Sequence, residues 1–232
     1  MTHGSPSRPS NFIERLGGDD RAVLMRLVQR RGIEKGGIIF NAGSPGMNVY
    51  FLESGQAKIY HLSAEGREAL LWFCLPGEIF GLTEVCHGGG RQVYAQACED
   101  SHILSVNRAV FKDFLATRPS AAMLVIDVLS CRLRSLGHVI EEMAASDVTE
   151  RVFHLIMRLA ANYGHRVGDD VHLDIHITHQ EMANMIGCTR QSVTSTLGML
   201  KRLDVLSFQN HHICIHRDRL PSVAPGDAAA AH

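Results

Sequence analysis

Short apolar runs of β type fill the first half of the chain, and apolar positions at helical spacing fill the second. The β-type runs are Gly37–Asn41, Val49–Glu53, Gln56–His61, Ala69–Leu75, Val93–Cys98 and His102–Val106. Turn-forming clusters separate them, at Gly43-Ser44-Pro45-Gly46, Ser54-Gly55, Glu65-Gly66, Pro76-Gly77 and Gly88-Gly89-Gly90. Many short strands at such spacing predict a barrel, roll or sandwich. From Arg108 the period becomes helical, and Ala121 to Ala145 is the longest uninterrupted stretch. Within it Leu129, Leu133, Leu136, Ile140 and Met143 recur at spacings of 4, 3, 4 and 3, the seam of a two-stranded coiled coil. A helix packed on its own barrel is the alternative.

The stretch from Ile177 to Leu197 predicts two helices joined by a tight corner. Thr178 and Glu181 stand at capping-box spacing and open the first helix. Gly187 supplies the corner, and Thr189 is a natural N-cap for the second helix. Met182, Met185, Ile186, Val193, Leu197 and Leu200 are spaced to bury one side of each helix. Arg190, Gln191, Thr194 and Ser195 are left on the other side, in the first turns of the second helix. A helix-turn-helix pushes those turns into the major groove. A plain helical hairpin shares the geometry, but it has no use for that polar face.

Length and charge refine this picture. A chain of 232 residues suits two modest domains, and no run reaches the roughly 20 apolar residues of a membrane span. Met1 to Asn11 carries no apolar signal-peptide core, so a cytoplasmic protein is expected. The net charge of −1 would ordinarily argue against nucleic acid, but the placement of charge matters more than its total. Between Thr178 and Arg217 the cations Arg190, Lys201, Arg202 and Arg217 face only Glu181 and Asp204. That excess is small, so tight binding calls for two copies side by side. No nucleophile elbow, P-loop or H-E-x-x-H is present, which leaves no motif for an enzyme.

Several segments together resemble the Crp/Fnr family of transcription regulators, over roughly Phe12 to Leu220. They are Gly36-Gly37-Ile38-Ile39-Phe40 with Gly43, Tyr50-Phe51-Leu52-Glu53-Ser54-Gly55, Pro76-Gly77-Glu78-Ile79-Phe80-Gly81, Asp147-Val148-Thr149-Glu150-Arg151-Val152 and the helix-turn-helix. The resemblance implies an α+β chain. A β-roll sensor would span 12–120, a dimerisation helix 121–146 and a winged helix-turn-helix 147–220, with disordered ends at 1–11 and 221–232. The wing would pair Leu206–Gln209 with Ile213–His216 through Asn210-His211-His212, and Asp147 would be the hinge. Implied partners are double-stranded palindromic DNA, a second copy of the chain and RNA polymerase, with no membrane. Carried across by position, Arg190 reads a guanine and Gln191 replaces an acidic residue. The Arg190-Gln191-x-x-Thr194-Ser195-Thr196 pattern is closest to the carbon-monoxide-sensing branch. Thr189, Ser192, His179, Gln180 and Lys201 are placed for phosphate.

The effector region departs from the family. Cyclic-AMP-binding members use a glutamate, an Arg-Ser pair and a Thr-Ser pair on the dimer helix. The matching pocket residues here are Leu82, Thr83, Glu84, Arg91, Gln92 and Leu136; Arg91 survives, and of the four changes, at Leu82, Gln92, Leu136 and Gly137, three remove a hydrogen-bonding partner. Unpaired buried ligand groups cost about 1–3 kcal/mol each, which argues against cyclic AMP. The haem ligands of the carbon-monoxide sensor fall at Gly81 and Thr83, leaving His61, His87, His102 and His138 as haem candidates in the sensor half. Cys74, Cys86, Cys98 and Cys131 lie in the same half and are candidate ligands for an iron–sulfur cluster, although at no C-x-x-C spacing. Cys188 and Cys214 read as packing residues.

Overall fold

The computed structural model describes residues 11–209 and 212–219. Expectations for both chain ends and for Asn210-His211 lie outside the described residues. Contacts divide the chain into two compact units, Met1–Ala145 and Ser146–His232.

In the first unit the order is α1 (Phe12–Arg15), α2 (Gly18–Leu27), β1 (Gln29–Ile33), β2 (Ile38–Phe40), β3 (Asn48–Ser54), β4 (Ala57–Leu62) and β5 (Glu68–Cys74). Then follow β6 (Ile79–Phe80), α3 (Glu84–His87), β7 (Tyr94–Ala97), β8 (Ser101–Asn107), α4 (Arg108–Ala116) and α5 (Pro119–Ala145). The strands form two antiparallel four-stranded sheets, ordered β1-β8-β3-β6 and β2-β7-β4-β5. All six expected strands are present within a residue or so at each end. Two were not foreseen. β1 is a polar edge strand, exposed at Gln29, Arg30, Arg31 and Gly32, and β6 is only two residues long. An edge strand with little burial has no alternation to read.

Two apolar clusters hold this unit together. Ile39, Leu52, Ile59, Phe80, Ala95 and Ile103 fill the inside of the roll. Phe12, Phe51, Ile79, Phe111, Val125 and Val128 join the helices to the sheet, with Phe51 and Phe111 ring centroids 5.9 Å apart edge to face. Each such side chain contributes about 1.5–3 kcal/mol on burial. Only the first half of α5 joins this core, through Ala121, Val125 and Val128. On other faces Ile126, Leu129, Leu133, Ile140 and Met143 are exposed, Leu133 at 72% and Ile140 at 69%.

In the second unit the order is α6 (Val148–Tyr163), β9 (Gly164–Val167), β10 (Asp170–Leu173), α7 (His179–Ile186), α8 (Arg190–Arg202), β11 (Leu206–Gln209) and β12 (His212–His216). A capping box between Asp147 and Glu150 starts α6, so the expected hinge residue is a helix cap. One antiparallel sheet runs β11-β12-β10-β9. The pair β9–β10 was not foreseen in the sequence, because each strand is only four residues long. The wing strand β12 begins at His212, one residue earlier than expected. Leu155, Leu159, Met182, Ile186, Val193, Leu197, Leu206, Ile213 and Ile215 are buried and make the core.

Candidate nucleic-acid interface and effector region

Local capping fixes the recognition surface. Thr178 Oγ1 accepts from the Glu181 amide while the Glu181 carboxylate accepts from the Thr178 amide, so α7 starts with a complete capping box. It ends at Gly187, whose φ of 62° lies in the left-handed region that a side chain disfavours. Thr189 Oγ1 then accepts from the Ser192 amide and starts α8.

That start decides what α8 presents. Val193, Thr196, Leu197 and Leu200 are buried against the unit's core. Arg190, Gln191, Thr194 and Ser195 are exposed and line one open surface depression. Thr194 Oγ1 donates to the Arg190 carbonyl at 2.9 Å and lies 2.8 Å from His179 Nδ1, which ties the start of α7 to the middle of α8. Gln180 donates to Asn184 at 2.9 Å along α7, and Thr189 and Ser192 hydroxyls are 2.9 Å apart. Lys201 is exposed near the C-terminal end of α8. The nine residues expected at DNA therefore all sit on these two helices or at the α8 cap. Donors of several kinds, one guanidinium among them, stand on a rigid helix, as base-edge and phosphate contact requires.

The residues expected in the effector pocket behave differently from one another. Leu82 is buried in the apolar cluster with Phe12 and Ile79, and Thr83 is exposed. Arg91 is 2% exposed and its guanidinium is already engaged. It pairs with the buried Glu84 carboxylate and donates to the Asn48 carbonyl and to the Gly81 carbonyl, the last at 3.1 Å. Its face packs on Phe40, 4.3 Å from the ring centroid. Gly81 stands at φ 73°, where a side chain strains the backbone, and a Cβ there would lie 2.9 Å from Arg91 Nη1 and displace the guanidinium. Gln92 is exposed and bonded to the Gly90 carbonyl, and Leu136 is half-buried on α5. Glu84 and Arg91 were named as separate ligand contacts; the structure joins them to each other. Sequence inspection missed the pair because nothing in the spacing reveals that Glu84 turns inward.

A second link runs from α5 to the roll. Arg132 Nη2 donates to the Ile79 carbonyl at 2.5 Å, and its guanidinium lies 4.9 Å from the centre of Trp72. This arginine was not singled out in the sequence, where it is one cation on a long helix.

The structure does not draw the four sensor-half cysteines into one group. Among the described residues the one convergent set of metal-binding groups is Asp170, Cys214 and His216, in the other unit. Cys74 is fully buried, and burial pushes its thiol far above the usual range. Cys86 is exposed, whereas Cys98 and Cys131 are half-buried, with Cys131 Sγ accepting from Arg134 at 3.1 Å. Of the haem candidates His61, His102 and His138 are exposed, and the side chain of His87 lies outside the described set. Cys188 is half-buried at the helix-turn-helix corner, its thiol pushed up by burial.

Family comparisons match both units in turn. The cyclic nucleotide-binding domain model matches residues 30–118, and the Crp-like helix-turn-helix domain model matches residues 150–220. The chain belongs to the Crp/Fnr family of transcription regulators. The CRP-like cAMP-activated global transcriptional regulator of Mycobacterium tuberculosis is 28% identical over 176 residues, covering 76% of this chain and 79% of the relative. FixK2 from Bradyrhizobium japonicum shares the fold with a TM-score of 0.73 at 21% identity, covering 85% of this chain and 98% of that one. A mutant of CooA from Carboxydothermus hydrogenoformans gives 0.75 at 21% identity, covering 93% and 94%. As a member of this family the chain pairs an effector-type domain with a DNA-binding helix-turn-helix. No single helix among the described residues is long and apolar enough to cross a membrane.

Proposed function

We propose that this regulator acts as a homodimer that reads a palindromic operator through Arg190. The observation that carries the proposal is the two-sided α8, with Val193 and Leu197 buried while Arg190, Gln191, Thr194 and Ser195 stand clear. Arg190 would bond guanine O6 and N7 in bidentate fashion, and Gln191 favours adenine where a glutamate would favour cytosine. His179, Gln180, Thr189, Ser192 and Lys201 would hold phosphates and set the register. The exposed Leu129, Leu133, Ile140 and Met143 support pairing of two α5 helices, and two copies reach successive major grooves.

The signal in this reading is not cyclic AMP, although the M. tuberculosis relative is named for that activator. Arg91, the guanidinium that would receive a phosphate, is buried and already neutralised by Glu84. A ligand phosphate would have to displace a paired carboxylate in a closed site, against the cost of leaving that charge unpaired. We place the gate at the Arg132 contact, through which a change in the roll alters α5 and then α6 across Ser146-Asp147. The signal shifts this equilibrium only through unequal affinity for the two states. RNA polymerase contact and transcriptional activation belong to the same proposal.

Operator selection from a randomised duplex pool, followed by gel shifts, tests the reading. Arg190→Ala is expected to cost about 1–3 kcal/mol and to lose discrimination at one guanine in each half-site. Undiminished discrimination at every guanine would remove Arg190 from its role.

A further inference from the structure

We propose that the wing sheet of the DNA-binding unit carries a divalent transition-metal site of zinc type, formed by Asp170, Cys214 and His216 and completed by His172. The argument starts from register. On β12 the alternation of a strand sends Ile213 and Ile215 into the core and His212, Cys214 and His216 to the opposite face. On β10 Asp170 stands opposite His216 and His172 opposite Cys214. Four side chains with ligand chemistry are thus gathered on one face of two paired strands.

The distances then suit a cation. Ligand atoms of Asp170, Cys214 and His216 all lie within 4.8 Å of one another. Asp170 Oδ2 is 3.1 Å from His216 Nδ1 and 3.7 Å from Cys214 Sγ, and His172 Nε2 is 3.3 Å from that sulfur. Bonds of about 2.0–2.3 Å to tetrahedral zinc imply edges between ligand atoms of about 3.3–3.8 Å. The observed separations of 3.1, 3.3 and 3.7 Å lie within about 0.2 Å of that range, so small side-chain shifts bring the groups to coordination distance. His172 is half-buried and completes the set by turning its ring toward the other two. Cys214 is wholly buried, between His172 of β10 and Ser207 of β11 in the strand register. One thiolate, two imidazoles and one carboxylate form a borderline donor set that favours zinc over magnesium or calcium. Binding replaces the thiol proton of Cys214 by the cation, and the released proton goes to solvent. Such a bridge would clamp β10 to β12 and stiffen the strand that leads into the wing. It has no dependence on the operator or on the signal sensed by the roll.

Cobalt(II) is the probe, added to the full-length protein after reduction and chelation. Expected are one ion per protomer, a thiolate-to-cobalt charge-transfer band, visible bands of four-coordinate intensity, and loss of both on adding zinc(II). Cys214→Ser should abolish the charge-transfer band, and zinc should raise the thermal midpoint of the wild type but not of the variant. Should Cys214→Ser fail to fold, Asp170→Asn and His216→Gln decide the matter, each expected to weaken binding by about tenfold or more. A wild type without the band at equimolar cobalt overturns the site. So does a band that survives in Cys214→Ser, or an affinity unchanged in both His216→Gln and Asp170→Asn.

Discussion

Glu84 shows how much a single side chain decides in the roll. Its carboxylate is 6% exposed beside a guanidinium that is 2% exposed, so each charge depends on the other for solvation. Removing one partner of a buried pair typically costs about 3–5 kcal/mol, whereas a pair left intact contributes little net stability. Glu84→Ala is therefore expected to destabilise the roll by about that amount, because Arg91 is left charged against Phe40 and Tyr50. Urea unfolding followed by Trp72 fluorescence measures it. A change below about 1 kcal/mol would mean that water or an anion takes the carboxylate's place, and with it the argument against a phosphate ligand would fall. The sequence offered Glu84 and Arg91 as independent pocket residues. Seven positions of separation across the Gly88-Gly89-Gly90 loop carry no sign of a closed pair, and only the fold brings them together.

Among the elements, α5 divides its apolar residues between two surfaces. Val125 and Val128 serve the roll, whereas Leu129, Leu133, Ile140 and Met143 of the expected seam are exposed and its Leu136 is half-buried. A stripe of this length at coiled-coil spacing is best buried by a second copy of the helix. Leu133→Glu would set two carboxylates across the two-fold axis. Because Leu133 is exposed in the single chain, folding of each unit should be untouched. Sedimentation velocity is expected to report a monomer, and specific DNA binding to fall by about a hundredfold or more as the second recognition helix is lost. A variant that remains dimeric would place the interface elsewhere. The long helix was legible in the sequence, as were the caps at Thr178 and Thr189, because helix period and capping are local properties. The β9–β10 pair was not legible, since Gly164–Val167 carries no apolar alternation and Asp170–Leu173, though it alternates, is only four residues long. The neighbourhood of Cys214 stayed hidden too. His172 and Cys214 are 42 positions apart and meet only through strand register.

At the scale of the whole molecule, the charge is nearly balanced, with a formal net of −1 per chain. The total charge therefore supplies no net attraction for DNA, and the placement of the cations decides it. In the proposed dimer the attraction comes from a few cations near α8, doubled by symmetry. Under that condition each phosphate contact makes a large share of the salt dependence, which follows about 0.9 per neutralised phosphate in the slope of log K against log salt. Lys201→Ala removes one such contact from each half of the proposed dimer. The slope is expected to shrink by about 2, with affinity falling nearly equally for operator and unrelated duplex. Arg190→Ala should do the reverse, sparing most of the slope while flattening the preference for sequence. The two variants measured together, over a range of salt on specific and random DNA, separate reading from holding. If Lys201→Ala changes preference and leaves the slope intact, that side chain reaches a base edge, and α8 lies deeper along the groove than its first turns alone would place it.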